Sequence, residues 1–276
     1  MDKHLAQRIK TENIEVHRKE APLYDTLHSE IFNFYEQKRT INDIIFIAKQ
    51  ISKTKPRALD IGCGTGNLTL KFLERGFHVT GVDITREMID VLRSKLRSKN
   101  QYDDSLKLIE CDIDTFISSE TEKYDVIAFS STLHHLPFYV ETLYKCINLL
   151  NDGGIVYITH EPLPGVKQNL IWKMFAKIDS LLFYLILKLR GIKIPRISYI
   201  YSDYHAQKGL DIDRIIENLI HEGCEILKFE KYNVRKFGIL SLIENKLNSS
   251  KTMFKLIARK SNHEMKYEQK KKEKKQ

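Results

Sequence analysis

At 276 residues, with 42% hydrophobic and 29% charged residues, the chain is long enough to bury a full core and too apolar for a disordered one, and one elaborated α/β domain accounts for it. Its formal charge of +9 is unevenly spread: residues 266–276 hold six lysines and two glutamates, which leaves +5 for everything else. The four cysteines, at 63, 111, 146 and 224, form neither a C-x-x-C pair nor a zinc-type spacing with histidine, so a disulfide scaffold and a zinc module are excluded and reduced thiols in a cytoplasmic protein are expected.

Residues 1–56 read as an N-terminal helical cap. The first nineteen have helical composition with little apolar periodicity and no apolar run of the signal-peptide kind, so they are expected to form a frayed or surface helix without chemistry and to carry no export signal. From Tyr24, apolar residues recur at helical spacing (Leu27, Ile31, Phe34, Tyr35), and a second helix follows through Ile41, Ile44, Ile45 and Ala48 before Pro56. Strands and helices then alternate. Strands are predicted at 57–61, 77–82, 105–110, 124–130 and 153–159, with helices at 67–75, 85–98 and 137–150 between them. A helix at 211–222 and strands at 224–232 and 252–259 complete a seven-stranded, mostly parallel sheet with helices on both faces. The main domain thus runs over 57–260, and 261–276 form a lysine-rich tail.

Residues 163–205 are an insert, because 43 residues stand where about two to six usually link sheet elements. Ile171, Met174, Phe175, Ile178, Leu182, Leu185 and Leu189 form a helical stripe. Phe183, Tyr184 and Ile186 extend apolarity around the helix, which is therefore expected to bury more than one face. Its longest apolar run, Leu181–Leu187, has seven residues against the ~20 a membrane span needs. Three roles stay open: a packing helix, a lid over an apolar substrate, or a peripheral membrane helix across 171–196 anchored by Trp172, Lys188, Arg190, Lys193 and Arg196. The lysine tail reads as a solvated extension, or as a basic segment for RNA or anionic membrane.

The chemistry gathers at Ala58-Leu59-Asp60-Ile61-Gly62-Cys63-Gly64-Thr65-Gly66, an apolar strand running into three glycines at alternate positions. Such a turn lets a ligand lie against the backbone. A dinucleotide fingerprint needs its third glycine five residues after the first, and Asn67 stands there. Asp83 ends the second strand 21 residues after Gly62, where a carboxylate can accept from two ribose hydroxyls. The third strand runs into Glu110-Cys111-Asp112-Ile113-Asp114, the fourth into Ser130-Ser131-Thr132-Leu133-His134-His135, and Asp152-Gly153-Gly154 precedes the fifth.

In this order the segments resemble the class I S-adenosylmethionine (SAM) methyltransferases, in their type 11/12 small-molecule branch, over about a third of the chain from Leu59 to Tyr157. The resemblance implies a Rossmann-like fold with SAM as cofactor. It implies cofactor contacts from Asp60, Gly62, Cys63, Gly64 and Gly66, from Asp83 to the ribose, from Ile84 to the adenine face, and from Ser130 near the methyl group. Asp112 and the Ile113 N–H would meet adenine, although Asp112 also reads as a helix cap. His134 is the base that the resemblance implies, with Tyr24 as its partner. His160-Glu161-Pro162 and Tyr201-Ser202-Asp203-Tyr204-His205 lie near the substrate end. The expected acceptor is small, apolar or lipid-like, and takes the methyl on oxygen, nitrogen or carbon. RNA as the acceptor, and a non-catalytic partner subunit, are the alternatives. The aromatic sheet signature of an RNA-binding module is missing, as is the Pro-Pro-aromatic segment of amino-methylating nucleic-acid enzymes.

Overall fold

The computed structural model describes residues 2–98, 104–195, 201–202 and 204–261. Its frame is a seven-stranded sheet of β1 (Arg57–Ile61), β2 (His78–Asp83), β3 (Leu106–Glu110), β4 (Tyr124–Ser130), β5 (Leu150–Pro162), β6 (Cys224–Tyr232) and β7 (Met253–Lys260). The spatial order is β3-β2-β1-β4-β5-β7-β6. The first five strands pair in parallel and β7 runs antiparallel to both of its neighbours. The strand order reverses between β1 and β4, which opens a crevice at their carboxyl ends, the usual ligand position in such sheets.

Alternation along the strands builds a core on each face. Leu59 and Ile61 join Ile127, Phe129, Leu143 and Ile215 on one side. Ala58 joins Phe72, Val126, Ala128 and Tyr157 on the other, together with Ile44 and Ile47. The connecting helices are numbered with those of the cap: α1 (Lys3–Glu20), α2 (Tyr24–Leu27), α3 (Ser29–Phe32), α4 (Phe34–Lys49), α5 (Thr69–Leu73), α6 (Arg86–Ser98), α7 (Ile113–Ser119), α8 (Tyr139–Ile147), α9 (Leu170–Leu189), α10 (Tyr204–Lys208), α11 (Ile212–His221) and α12 (Gly238–Leu247). Each strand lies within a residue or so of its expected place except β5, which extends to both sides of 153–159. The short α7 and α12 were not expected.

Two expectations are corrected. The first helix is not a surface helix: Ala6, Ile9, Asn13, Val16 and Glu20 are buried along one face. Their spacing of three and four residues is helical, but the two polar members hide the stripe from a purely apolar reading. Nor does α9 bury more than one face. Of its residues only Asp179, Phe183 and Leu187 are fully buried, and Phe183 and Leu187 pack against Leu27 of α2, with Phe237 alongside. The Asp179 carboxylate accepts the backbone N–H groups of Lys236 and Phe237, so one polar anchor and a narrow apolar contact seat this helix. Arg196, Asp203 and the lysine-rich tail beyond 261 lie outside the described residues.

Candidate active site

At the carboxyl end of β1 the chain turns through Gly62, Gly64 and Gly66, all with positive φ. A Cβ at Gly62 would stand 2.5 Å from Thr132 Cγ2, and one at Gly66 would strike Leu92 Cδ1 on α6. Glycine is therefore required at both, once for the passage of the β4 exit and once for the packing of α6. The bend is tied to β2 by the Gly62 N–H, which donates to the Val82 carbonyl at 2.8 Å. Asp83 Oδ2 accepts the Gly64 N–H and Oδ1 the Thr85 N–H, both at 2.8 Å. Each carboxylate oxygen keeps a further lone pair for a hydroxyl, and burial holds the Asp83 carboxyl above its ordinary range.

These groups line a cavity of ≈ 120 Å³ whose apolar walls include Ile84, Met88, Cys111 and Ile113. Gly62, Gly64, Asp112 and Ser130 also border it. Asp112 is a helix cap and a wall residue at once: Oδ1 accepts the Asp114 N–H at 2.9 Å, while Oδ2 pairs with Lys10 of α1 at 2.6 Å. A second, narrower cavity of ≈ 30 Å³ lies along the glycine turn, against Asp60, Cys63 and Asn67. Asp60 accepts from the Thr69 hydroxyl at 2.6 Å, and burial pushes its carboxyl up to about 6. The Cys63 side chain is buried, its Sγ close to Gly81 on β2. Gly66 borders neither cavity; its place is structural.

A third cavity, of ≈ 260 Å³, opens from the first two and is lined by five histidines: His17, His28, His134, His135 and His160. Glu20 and Glu30 add two carboxylates, and Val16, Ile31, Pro162, Val234 and Met253 supply the apolar part of its wall. Tyr24 and Ser131 border all three cavities, so they mark the point where the glycine-turn space meets the histidine-lined one. Ser131 holds φ at 54°, a strained value for a side-chain-bearing residue. The rings stacked on Tyr24 are those of His28, at 4.3 Å between centroids, and His17, at 5.9 Å. Burial and neighbouring carboxylates raise the Tyr24 hydroxyl well above the usual phenol, which makes it a hydrogen-bond donor rather than a phenolate.

His134 follows β4 in a 3₁₀ turn, Leu133–His135. Its orientation comes from Glu161, which is fully buried. Glu161 Oε1 accepts the N–H groups of Thr132 and Leu133 at 2.7 and 2.8 Å. Oε2 takes the N–H of His134 at 3.2 Å and its ring Nδ1 at 2.8 Å. A carboxylate with three backbone donors leaves Nδ1 only the donor role, so in the neutral ring the proton sits on Nδ1 and the lone pair on Nε2. His135 differs: its Nδ1 donates to the Ser202 carbonyl at 2.9 Å, and burial beside His134 holds its pKa well below the ordinary value.

Glu161 and His160 owe their aim to a register shift between Ile158 and Glu161 in the β5–β7 pairing. His160 there has φ 56°, its N–H donates to the Tyr232 hydroxyl at 2.9 Å, and its Nε2 faces Glu36 at 3.4 Å. Such bulges commonly re-aim side chains beside active sites. The sequence reading overlooked Lys10, Asn13, His17 and His28 as wall residues. The only signal for them was the three-and-four spacing of α1 and the density of histidines before residue 30.

Residues 52–188 match the family model described as a methyltransferase domain. That match takes in the glycine turn and all five parallel strands, so over those residues, just under half of the chain, the sequence is similar to a methyltransferase domain. Its relatives include the ubiquinone biosynthesis O-methyltransferase of Xylella fastidiosa (strain M23), 32% identical over 115 residues, 41% of this chain and 45% of that one. The enzyme of the same name from Aromatoleum aromaticum is 30% identical over 166 residues, 58% of this chain and 66% of that one. The chain thus spans about half the length of the first of these relatives. Among solved structures, magnesium protoporphyrin IX methyltransferase from Synechocystis PCC 6803 with bound SAM superposes with a TM-score of 0.54 at 14% identity, over 91% of this chain and 97% of that one. A [4+2]-cyclase shares the fold with a TM-score of 0.58 at 14% identity, over 90% and 95% of the two chains. The fold therefore leaves the reaction to the site.

Proposed function

We propose that the chain is a SAM-dependent O-methyltransferase acting on a small, largely apolar acceptor that carries an ionisable hydroxyl. One observation carries this reading: His134, its ring Nδ1 bound to Glu161, borders a mixed polar and apolar cavity that shares Tyr24 and Ser131 with the glycine-turn cavities. The glycine turn offers backbone without Cβ, and Asp83 offers spare lone pairs, so these residues fit a nucleoside with free ribose hydroxyls. Bound SAM would supply an electrophilic methyl on a sulfonium.

The rest falls to the chain. The cavity orients the acceptor hydroxyl toward the junction and keeps water away from it. His134 Nε2 takes the hydroxyl proton as the oxygen forms its bond to the methyl, and Glu161 supports the charge that develops on the ring. Because the bound cofactor would give up its methyl by direct displacement and keep the bonding pair as a neutral thioether, the chain needs no covalent nucleophile of its own. Tyr24, held as a neutral phenol, donates a hydrogen bond at the junction.

The test has two stages. Calorimetry measures whether SAM and S-adenosylhomocysteine bind. Radiolabelled methyl transfer is then followed to hydroxylated aromatic and isoprenoid lipids, with RNA as the comparison, for wild type and His134→Gln. The reading expects cofactor binding by both proteins and transfer to a hydroxylated lipid that the variant slows by about 10²–10⁴-fold. Undiminished transfer by the variant removes His134 as the base, and transfer to RNA alone replaces the acceptor class.

A further inference from the structure

The surface of α9 sets this chain apart from an ordinary globular domain. Leu170, Ile171, Met174, Ile178, Leu181, Leu182, Leu185 and Leu189 are all exposed, with Ile171, Leu181 and Leu189 at 72%, 68% and 78%. On a helix of 3.6 residues per turn they fall within about a third of the circumference. That arc lies opposite the buried Asp179, Phe183 and Leu187, so the part of the helix pointing directly outward is apolar. A solvated helix has the reverse arrangement, and an apolar strip five turns long exceeds what a soluble monomer usually leaves open.

Charge says what covers it. Lys173, Lys177 and Lys188, all exposed, run along one edge of the apolar arc, and Arg190 and Lys193 continue at its carboxyl end. The one acidic residue of α9, Asp179, is buried against the 236–237 backbone. The exposed helix therefore presents only positive charge, along one edge and at the carboxyl end of an apolar face. A second copy docking through the same face would set lysines against lysines, whereas an anionic lipid surface satisfies both the charge and the apolar strip. Among the described residues no helix is long and apolar enough to cross a membrane, so α9 would lie in the interface.

We infer that the outer face of α9 docks the protein on an anionic lipid bilayer. The position of the helix gives the contact a direction. Phe183 and Leu187 rest on Leu27, and the same short helix carries Tyr24 into the three-cavity junction. Lys236, beside the Asp179 anchor, bonds the Leu27 carbonyl and the Glu30 carboxylate. The docked face thus lies directly over the segment that roofs the histidine-lined cavity. The docking itself is independent of which acceptor is methylated.

Flotation with phosphatidylcholine vesicles, and with vesicles containing a third phosphatidylglycerol, tests it on the full chain. Wild type should float with the anionic vesicles at 0.15 M salt, and far less with the neutral ones. Leu181→Glu/Leu185→Glu, two exposed positions outside the three cavities of the site, should lower that binding at least tenfold with unchanged thermal midpoint and SAM binding. Lys173→Gln/Lys177→Gln should weaken it and flatten its salt dependence. Because the lysine-rich tail is present in every variant, full binding by the leucine variant would assign attachment to the tail and overturn the inference. So would a wild type that stays out of both vesicle fractions, or a dimer in sedimentation that Ile178→Glu dissolves.

Discussion

Glu161 is the residue whose grip on the site can be read by melting and by the His134 tautomer before any acceptor is known. Replacing it with alanine removes the acceptor for three buried backbone N–H groups and for the ring of His134. An orphaned buried donor costs about 1–3 kcal/mol, so the three backbone groups alone set a scale of about 3–5 kcal/mol once some water has entered. At about 2 °C per kcal/mol for a chain of this size, the melting temperature should fall by roughly 6–10 °C. Glu161→Gln is the sharper probe. The glutamine oxygen can serve Thr132 and Leu133, but its NH₂ then faces the His134 N–H and Nδ1–H, donor against donor. The ring is the group that can give way, by moving its proton to Nε2, which removes the lone pair from the cavity. Long-range ¹⁵N–¹H spectra of the imidazole should show the Nδ1–H tautomer in the wild type and the Nε2–H tautomer in the variant. Methyl transfer should fall about 10²-fold or more, with cofactor affinity unchanged. A wild-type ring protonated on Nε2, or a variant keeping both the Nδ1–H tautomer and full turnover, would refute the reasoning.

Three further outcomes follow from the geometry. Asp83→Ala should weaken SAM at least tenfold in calorimetry, because each charge-assisted bond to a ribose hydroxyl contributes about 1.5–3 kcal/mol; unchanged affinity would remove the ribose role. Gly66→Ala meets both a φ of 95° and the Leu92 side chain, so urea melts should show a loss of about 2–4 kcal/mol, which Leu92→Ala relieves only in part. Burial works to lower the pKa of His28, but its hydrogen bonds to Glu20 and Glu30 prevail and carry it up to about 9. A raised folded-state pKa stabilises below the unfolded value near 6.5 and is lost as pH climbs through 9. The chain should therefore lose on the order of 3 kcal/mol between pH 6 and 10, and His28→Gln should flatten that slope; an equal slope in the variant assigns it to other groups.

The sheet was legible because buried parallel strands are written as apolar runs, as in Ala58–Ile61 and Val126–Phe129, and because glycine turns follow them. The glycine turn and Asp83 could be found from types and spacing alone. What escaped has a physical reason in each case. The buried stripe of α1 passes through Asn13 and Glu20, which no apolar count records. Ser131 and His160 hold left-handed backbone without glycine, and only surrounding structure can impose that. Glu161 was noticed as a neighbour of the site, but its grip on His134 depends on a bulge in the β5–β7 pairing that leaves no mark on composition. The stripe of α9 was visible; which of its faces would be covered was not, since a helix with apolar residues on several sides reads the same whether it packs or docks.

Beside the apolar packing of α1 and of Leu27, residues 3–32 meet the rest of the molecule through separate polar contacts. Asp25 on α2 takes the Thr65 hydroxyl and the Lys95 ammonium, each at 2.5 Å. Lys10 reaches Asp112, Asn13 the His135 carbonyl, and Glu12 the backbone at 201–202. Such contacts can be exchanged for water one by one while the sheet stays intact. Residues 3–32 should therefore behave as one low-stability unit in hydrogen exchange, opening far more often than β1 or β4. Because three of these attachments are made to the glycine turn, to α6 and to the start of α7, a nucleoside seated among them would bridge both sides of the seam and slow that opening. The expected sequence is cofactor first and acceptor second, with release of the spent cofactor waiting on the cap to lift.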